Sequence, residues 1–193
     1  ALPLLRGGAG VGAMSAFFYA LGHLELATAV LLNYSAPLFI PFIAALWLRE
    51  TVPSILRWAI PVGFMGIVLI LKPGWGLLEP AAVIGLAAGM LAAVSFVSIR
   101  RLHASEPTTR IVFYFGAIAT LVTTLPLPWI WVTPAPHLWG LLAAMGASAT
   151  AGQMLLTHAY SMAPAAQVGP FTYSVVVFST LIGWVVWDEV PGP

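Results

Sequence analysis

Residues 26–53, LATAVLLNYSAPLFIPFIAALWLRETVP, form an apolar run closed by a charged, proline-terminated end, and residues 165–191, AAQVGPFTYSVVVFSTLIGWVVWDEVP, repeat its plan. Displacing the sequence by 139 positions superposes Tyr34-Ser35 on Tyr173-Ser174, Phe39 on Phe178, Ile43 on Ile182 and Glu50 on Glu189. The register extends backwards through Ala27/Ala166, Ala20/Ala159, Gly7/Gly146 and Leu2/Leu141. Alanine, glycine and leucine coincide easily in such a chain, so the weight rests on the Tyr-Ser pair, the Phe and the Glu sharing one offset. Self-similarity over this span implies two copies of one structural unit.

Only 7% of the residues are charged and 61% are hydrophobic, whereas soluble domains carry roughly a quarter charged residues. The charges are confined to short clusters, and the runs between them are close to the roughly 20 residues that cross a hydrocarbon core as helix. A transmembrane β-barrel would alternate polar and apolar positions, and these runs are apolar all round. The expected fold class is therefore all-α, a polytopic transmembrane helix bundle. With no cysteine, disulfides and thiolate metal sites are excluded. A net charge of +1 argues against nucleic acid as a partner.

Seven spans are expected: Gly8–Gly22, with a start that extends into the preceding leucines, Ala27–Leu48, Ile55–Leu71, Ala81–Ile99, Ile111–Val132, Leu138–Tyr160 and Ala166–Trp187. On this alternation Arg6, Arg49, Arg57, Arg100, Arg101 and Arg110 fall on one side and only Lys72 on the other. Cytoplasmic loops accumulate Lys and Arg, so that side is read as cytoplasmic. The second and seventh spans then cross in opposite directions, which makes the repeat inverted. Inverted repeats build many secondary transporters, with substrate near the midplane between the halves.

The helix ending in LWLRETVP, the following GFMGIVLILKPG, and GPFTYSVVVFSTLIGWVVWDEVP after AYSMAPA resemble the drug/metabolite transporter superfamily, specifically its EamA-type domains. The resemblance covers essentially the whole chain and implies a ten-helix bundle of two inverted five-helix repeats with cytoplasmic termini. On that pattern the chain holds helices three to nine, without the first two and the last. Residues 1–73 would belong to the first repeat and 80–193 to the second. The absence of an initiator Met fits a piece of a longer protein.

Candidate site residues follow from polarity inside the spans. Tyr34-Ser35 and Tyr173-Ser174 stand at equivalent places and read either as walls of a central cavity or as hydrogen-bonding contacts between helices. Asn33, Gln153 and Gln167 are the amide side chains, and Ser95 is a hydroxyl within a span. Gln153 shares a helix face with Thr150 and Thr157, pointing to a polar stripe on either a cavity or an interface. Pro37, Pro41 and Pro170 are hinge candidates, with Pro61 a further interruption, because proline frees a carbonyl and bends a membrane helix. Glu50 and Glu189 read as interfacial or capping residues. No Asp, Glu, Lys or Arg is expected in the middle of a span, which leaves His23, Glu25 and His158 as the nearest ionisable groups. Tryptophans near span ends read as an interfacial belt, and the small-residue segments Gly85–Ser95 and Ala143–Gly152 as packing seams.

The function expected is a secondary carrier of small organic metabolites, an exporter or exchanger in the cytoplasmic membrane, without a cofactor or metal. Its partners are the metabolite and the bilayer; a proton as coupling ion and a homodimeric assembly are left open. An intramembrane enzyme lacks support: no HExxH or GxSxG and no intramembrane carboxylate pair are present. A channel would call for charge rings or a carbonyl filter. A non-transporting scaffold or accessory membrane protein is the remaining alternative.

Overall fold

The computed structural model describes residues 2–24, 26–52, 54–70, 79–174 and 178. The described elements are helical: α1 (Leu2–Leu21), α2 (Leu26–Asn33), α3 (Ala36–Leu48), α4 (Ser54–Ile70), α5 (Pro80–Leu102), α6 (Thr108–Thr124), α7 (Leu127–Ile130), α8 (Leu138–Met162), α9 (Ala165–Val168) and a 3-10 turn over Gly169–Tyr173. Leu2–Leu21, Thr28–Leu48 and Pro80–Leu102 are each long and apolar enough to cross a membrane. In lipid the backbone must satisfy its own hydrogen bonds, which is why such sequences fold as helix. Leu46 at 86% exposed and Trp58 at 79% show apolar side chains turned outward, an arrangement that suits acyl chains and not water. The protein is a helical, multi-pass membrane protein.

The centre of the bundle is α5, which packs against α1, α2, α3, α8 and α9. Its small side chains make this possible. Ala81, Gly85, Ala88, Ser95, Ile99 and Leu102 are buried along it, and Ala82, Gly89, Ala93 and Val97 are buried beside them. Without an attraction between apolar faces inside lipid, membrane helices rely on this close backbone approach. The tightest approach is at Gly89, where an added Cβ would lie 2.7 Å from the Leu32 carbonyl oxygen. The main core joins Ile40, Ala44, Val97, Ile99, Leu102, Ile111 and Tyr160.

Several expected boundaries shift, each for a local reason. The first helix begins at Leu2, in the leucines into which the first span was expected to extend, so Arg6 lies inside a helix. The second span is two helices, because Pro37 has no N–H for the Asn33 carbonyl and its ring crowds it. Tyr34 and Ser35 form the turn between α2 and α3. Pro41 and Pro61 lie within α3 and α4, and both helices continue through them. The expected span Ile111–Val132 is regular α-helix only to Thr124, because Pro126 and Pro128 offer no N–H to the Val122 and Thr124 carbonyls; the short α7 follows and Trp131 is extended. The Ala143–Gly152 segment, read as a packing seam, has no residue buried over that stretch, and Gly146 and Gly152 meet nothing within 4 Å. Of the seventh span the described part is α9, the 3-10 turn and Ser174, with Phe178; Ile182, Asp188 and Glu189 lie outside the described residues, as do Glu25 and Lys72.

Candidate functional site

At one end of the bundle, α3, α5 and α8 finish together. The Glu50 carboxylate accepts from Arg100 Nε at 3.0 Å and from the Ala165 backbone N–H at 3.0 Å. Arg100 Nη1 donates to the Ser161 carbonyl at 2.9 Å, and Arg101 Nη1 to the Trp47 carbonyl at 3.0 Å. Helix α3 is brought to this clasp by Arg49, which ends it in the left-handed region at φ 56°, so that the next residue, Glu50, turns back toward α5. From the clasp the chain turns back along α3. Ala165 is bonded to Glu50 beyond the end of α3, and Gly169 lies against Ile40, nearer the start of α3. Residues 165–169 therefore run antiparallel to α3.

Deeper inside, the structure places a charge where none was expected. Arg6 on α1 is 2% exposed. Its Nη1 donates to Ser95 Oγ on α5, and that hydroxyl donates back to the Arg6 carbonyl at 3.1 Å. Nη2 donates to Gln153 Oε1 on α8 at 3.0 Å, and the guanidinium sits over the Phe115 ring of α6, 4.1 Å from its centroid. Gly10, one turn along α1, makes the room: a Cβ there would fall 2.7 Å from both Nη1 and Phe115. Phe115 is seven residues into α6 and Ser95 seven residues from the end of α5, about 10 Å from the helix ends at 1.5 Å per residue. Arg6, expected on the cytoplasmic side at the start of the first span, stands four residues into α1 with its guanidinium turned inward against α5, α6 and α8.

Beside this cation runs the stripe of α8. Thr150 donates to its own helix at the Gly146 carbonyl, 2.8 Å, Gln153 holds Arg6, and Thr157 and Tyr160 are fully buried. Tyr160 stacks on Phe96 with centroids 5.5 Å apart. Among the described residues, Arg6 Nε, Thr157 Oγ1 and Tyr160 Oη are buried without a hydrogen-bond partner, and the ion pairs are Glu50–Arg100 and Glu106–Arg110. Arg6 thus has no carboxylate partner among them. An uncompensated charge in a low-dielectric interior is expensive, by several kcal/mol after relaxation, so three neutral contacts leave it under-neutralised.

Between α1, α6 and α8 lies a cavity of about 1070 Å³, lined among others by Met14, Val112, Phe115, Thr120, Thr150 and Gln153. A smaller one of about 480 Å³ opens between α3 and α4 at Pro41, Glu50, Ile60 and Pro61. Of the expected site residues, Ser95, Gln153 and Thr157 converge around or beside Arg6. Ser35 is buried and bonds the Leu32 carbonyl at 2.6 Å, facing Gly89 of α5. Asn33 and Tyr34 are half-buried at the α2–α3 turn, and Tyr173, the last residue of the 3-10 turn that Pro170 helps to start, is exposed together with Ser174 after it. Neither tyrosine lines these two cavities. Both Tyr-Ser pairs do share one feature, in that each stands where regular α-helix is interrupted. His23 caps the end of α1 against the Tyr19 carbonyl at 2.8 Å, and His158 is exposed. Arg6 and Tyr160 are the members of the polar cluster that sequence reasoning missed. The pattern Arg6-Gly7-Gly8-Ala9-Gly10, an arginine bedded in the small residues that let helices close around it, was the available signal for the first.

The EamA-like transporter family matches residues 3–72 and 80–193. The Pseudopaline exporter CntI of Pseudomonas aeruginosa is 40% identical over 191 residues, covering 97% of this chain and 67% of the exporter. The S-adenosylmethionine uptake transporter of Rickettsia bellii is 30% identical over 184 residues, covering 92% of this chain and 61% of that protein. An uncharacterized transporter of Helicobacter pylori is 28% identical over 192 residues, covering 91% of this chain and 62% of its own length. The chain thus spans about two thirds of these relatives. No solved structure gives a significant match.

Proposed function

This chain belongs to the EamA-like transporter family, and from that membership we propose that it forms most of a secondary carrier moving small organic metabolites across the cytoplasmic membrane by alternating access. Residues 1–73 supply part of a first five-helix repeat and 80–193 most of an inverted second, in the 5+5 arrangement. The observation that carries this reading is the antiparallel course of residues 165–169 along α3, from Glu50 to Ile40. Two equivalent segments laid head to tail are what an inverted pair requires, and such a pair can open first to one side and then to the other.

In this reading the Arg49, Glu50, Arg100 and Arg101 end faces the cytoplasm. The polar groups of Ser95, Gln153 and Thr157 contribute to the substrate path, Asn33, Tyr34, Ser35, Tyr173 and Ser174 form its symmetric parts, and Pro37, Pro41 and Pro170 allow the helices to flex. Exporter and uptake transporter both occur among the relatives' names, so direction is not carried over from them. The test is counterflow: full-length protein in liposomes preloaded with candidate metabolites should take up labelled solute faster than empty liposomes do. Uptake unaffected by the internal solute would refute alternating access.

A further inference from the structure

Resting on the carrier reading, we infer that Arg6 is a carboxylate-binding site and that the substrates of this protein are acids or zwitterions carrying a carboxylate. Arg6 is 2% exposed, and among the described residues its guanidinium is held by the neutral Ser95 and Gln153 side chains and the Phe115 ring. Arginine carries five N–H donors in a planar fork. Nη1 and Nη2 use one each, leaving Nε, buried and unpartnered, and the second hydrogens of the two Nη groups. The Nε–Nη2 edge is the geometry that grips a carboxylate with two parallel hydrogen bonds. Access exists one side chain away, because Gln153 and Phe115 both touch Arg6 and both line the 1070 Å³ cavity. A carboxylate arriving there would displace the Gln153 amide oxygen from Nη2 and take up Nε at the same time. The charge that finds no carboxylate among the described residues is then neutralised by cargo, while Thr157 Oγ1 and Tyr160 Oη, one and two turns beyond Gln153, remain as spare polar groups for the rest of the molecule.

The test supplies an internal competitor. Gln153→Glu places a carboxylate against Nη2, and should leave the unliganded protein as stable as wild type or more so while excluding substrate. Full-length wild-type, Gln153→Glu, Arg6→Lys and Arg6→Gln proteins would be compared for thermal stabilisation and liposome counterflow. The probes are L-methionine, L-phenylalanine and succinate, each beside its uncharged-carboxyl counterpart L-methioninamide, L-phenylalaninamide or succinamide. Wild type should be stabilised by at least one acid and not by its amide. Gln153→Glu and Arg6→Gln should weaken that acid by about 30-fold or more, the loss expected when one member of a buried charge pair is removed. Arg6→Lys should recover part of it as a point charge. Equal response of wild type to acids and amides, or acid binding by Gln153→Glu at wild-type strength, would overturn the proposal. Counterflow without preference for acids leaves the carrier reading intact and removes Arg6; Arg6-dependent acid binding with no counterflow of any probe does the reverse.

Discussion

Replacing Glu50 by Ala tests the clasp that ties the ends of α3 and α5 to the start of α9. Its carboxylate accepts two hydrogen bonds, from Arg100 Nε and from the Ala165 N–H, both at 3.0 Å. Bonds to an ionised acceptor contribute about 1.5 kcal/mol each at the low end, or about 3 kcal/mol for the two. The Arg100 and Glu50 side chains are 29% and 18% exposed, so solvent screening reduces the ion-pair part and the expected cost is about 2 kcal/mol. Arg100 keeps its bond to the Ser161 carbonyl, which limits the damage to its own end. A double-mutant cycle with Arg100→Ala should then return a coupling of about 1 kcal/mol, within the range for residues in contact. The measurement is reversible unfolding in mixed detergent micelles, followed by the fluorescence of the eight tryptophans. Coupling indistinguishable from zero, with Glu50→Ala costing less than about 0.5 kcal/mol, would refute the idea that this carboxylate holds α3, α5 and α9 together.

Gly89→Val should lower stability by about 1–3 kcal/mol, the usual cost of overpacking, because the new Cβ meets the Leu32 carbonyl oxygen at 2.7 Å; unfolding in the same micelles reads it, and an unchanged midpoint would contradict the contact. Tyr34→Ala and Tyr173→Ala should each reduce counterflow several-fold with membrane insertion unaltered, and wild-type transport by both would remove the pair from the substrate path. Single cysteines at Glu50 and Glu189, in a chain with no native cysteine, should react with impermeant thiol reagents from opposite faces of the membrane. Labelling from the same face would end the inverted reading.

The helical membrane architecture was legible because hydropathy and span length act through the whole helix and are insensitive to detail. The α2–α3 break was half legible: Pro37 and Pro41 were both visible as interruptions, but only Pro37 breaks the helix, which continues through Pro41. The early end of α6 was written in Pro126 and Pro128, and the long apolar run through Trp129, Trp131 and Val132 overrode that signal. Ser95 and Gln153 could be named from polarity alone. What joins them could not, since the link is a third residue, Arg6, from the first helix, and an arginine four residues into that helix reads as a loop charge unless the helix start is known. Tyr160 was hidden for a related reason, as its position near the end of α8 resembles an interfacial aromatic until Phe96 and Leu102 are folded over it.

The alanine, glycine and serine surface of α5 has a mechanical consequence. Large interlocking side chains act as gear teeth, and helices meshed that way move only by lifting apart. A smooth shaft lets its neighbours glide by an ångström or two while dispersion contacts are exchanged and not lost. Travel of this kind belongs to the small-residue half of α5, with Gly89 against the Leu32 backbone at the end of α2 as its pivot, and the half beyond Ser95, packed through Val97, Ile99 and Leu102 and pinned at Arg100 and Arg101, as its fixed end.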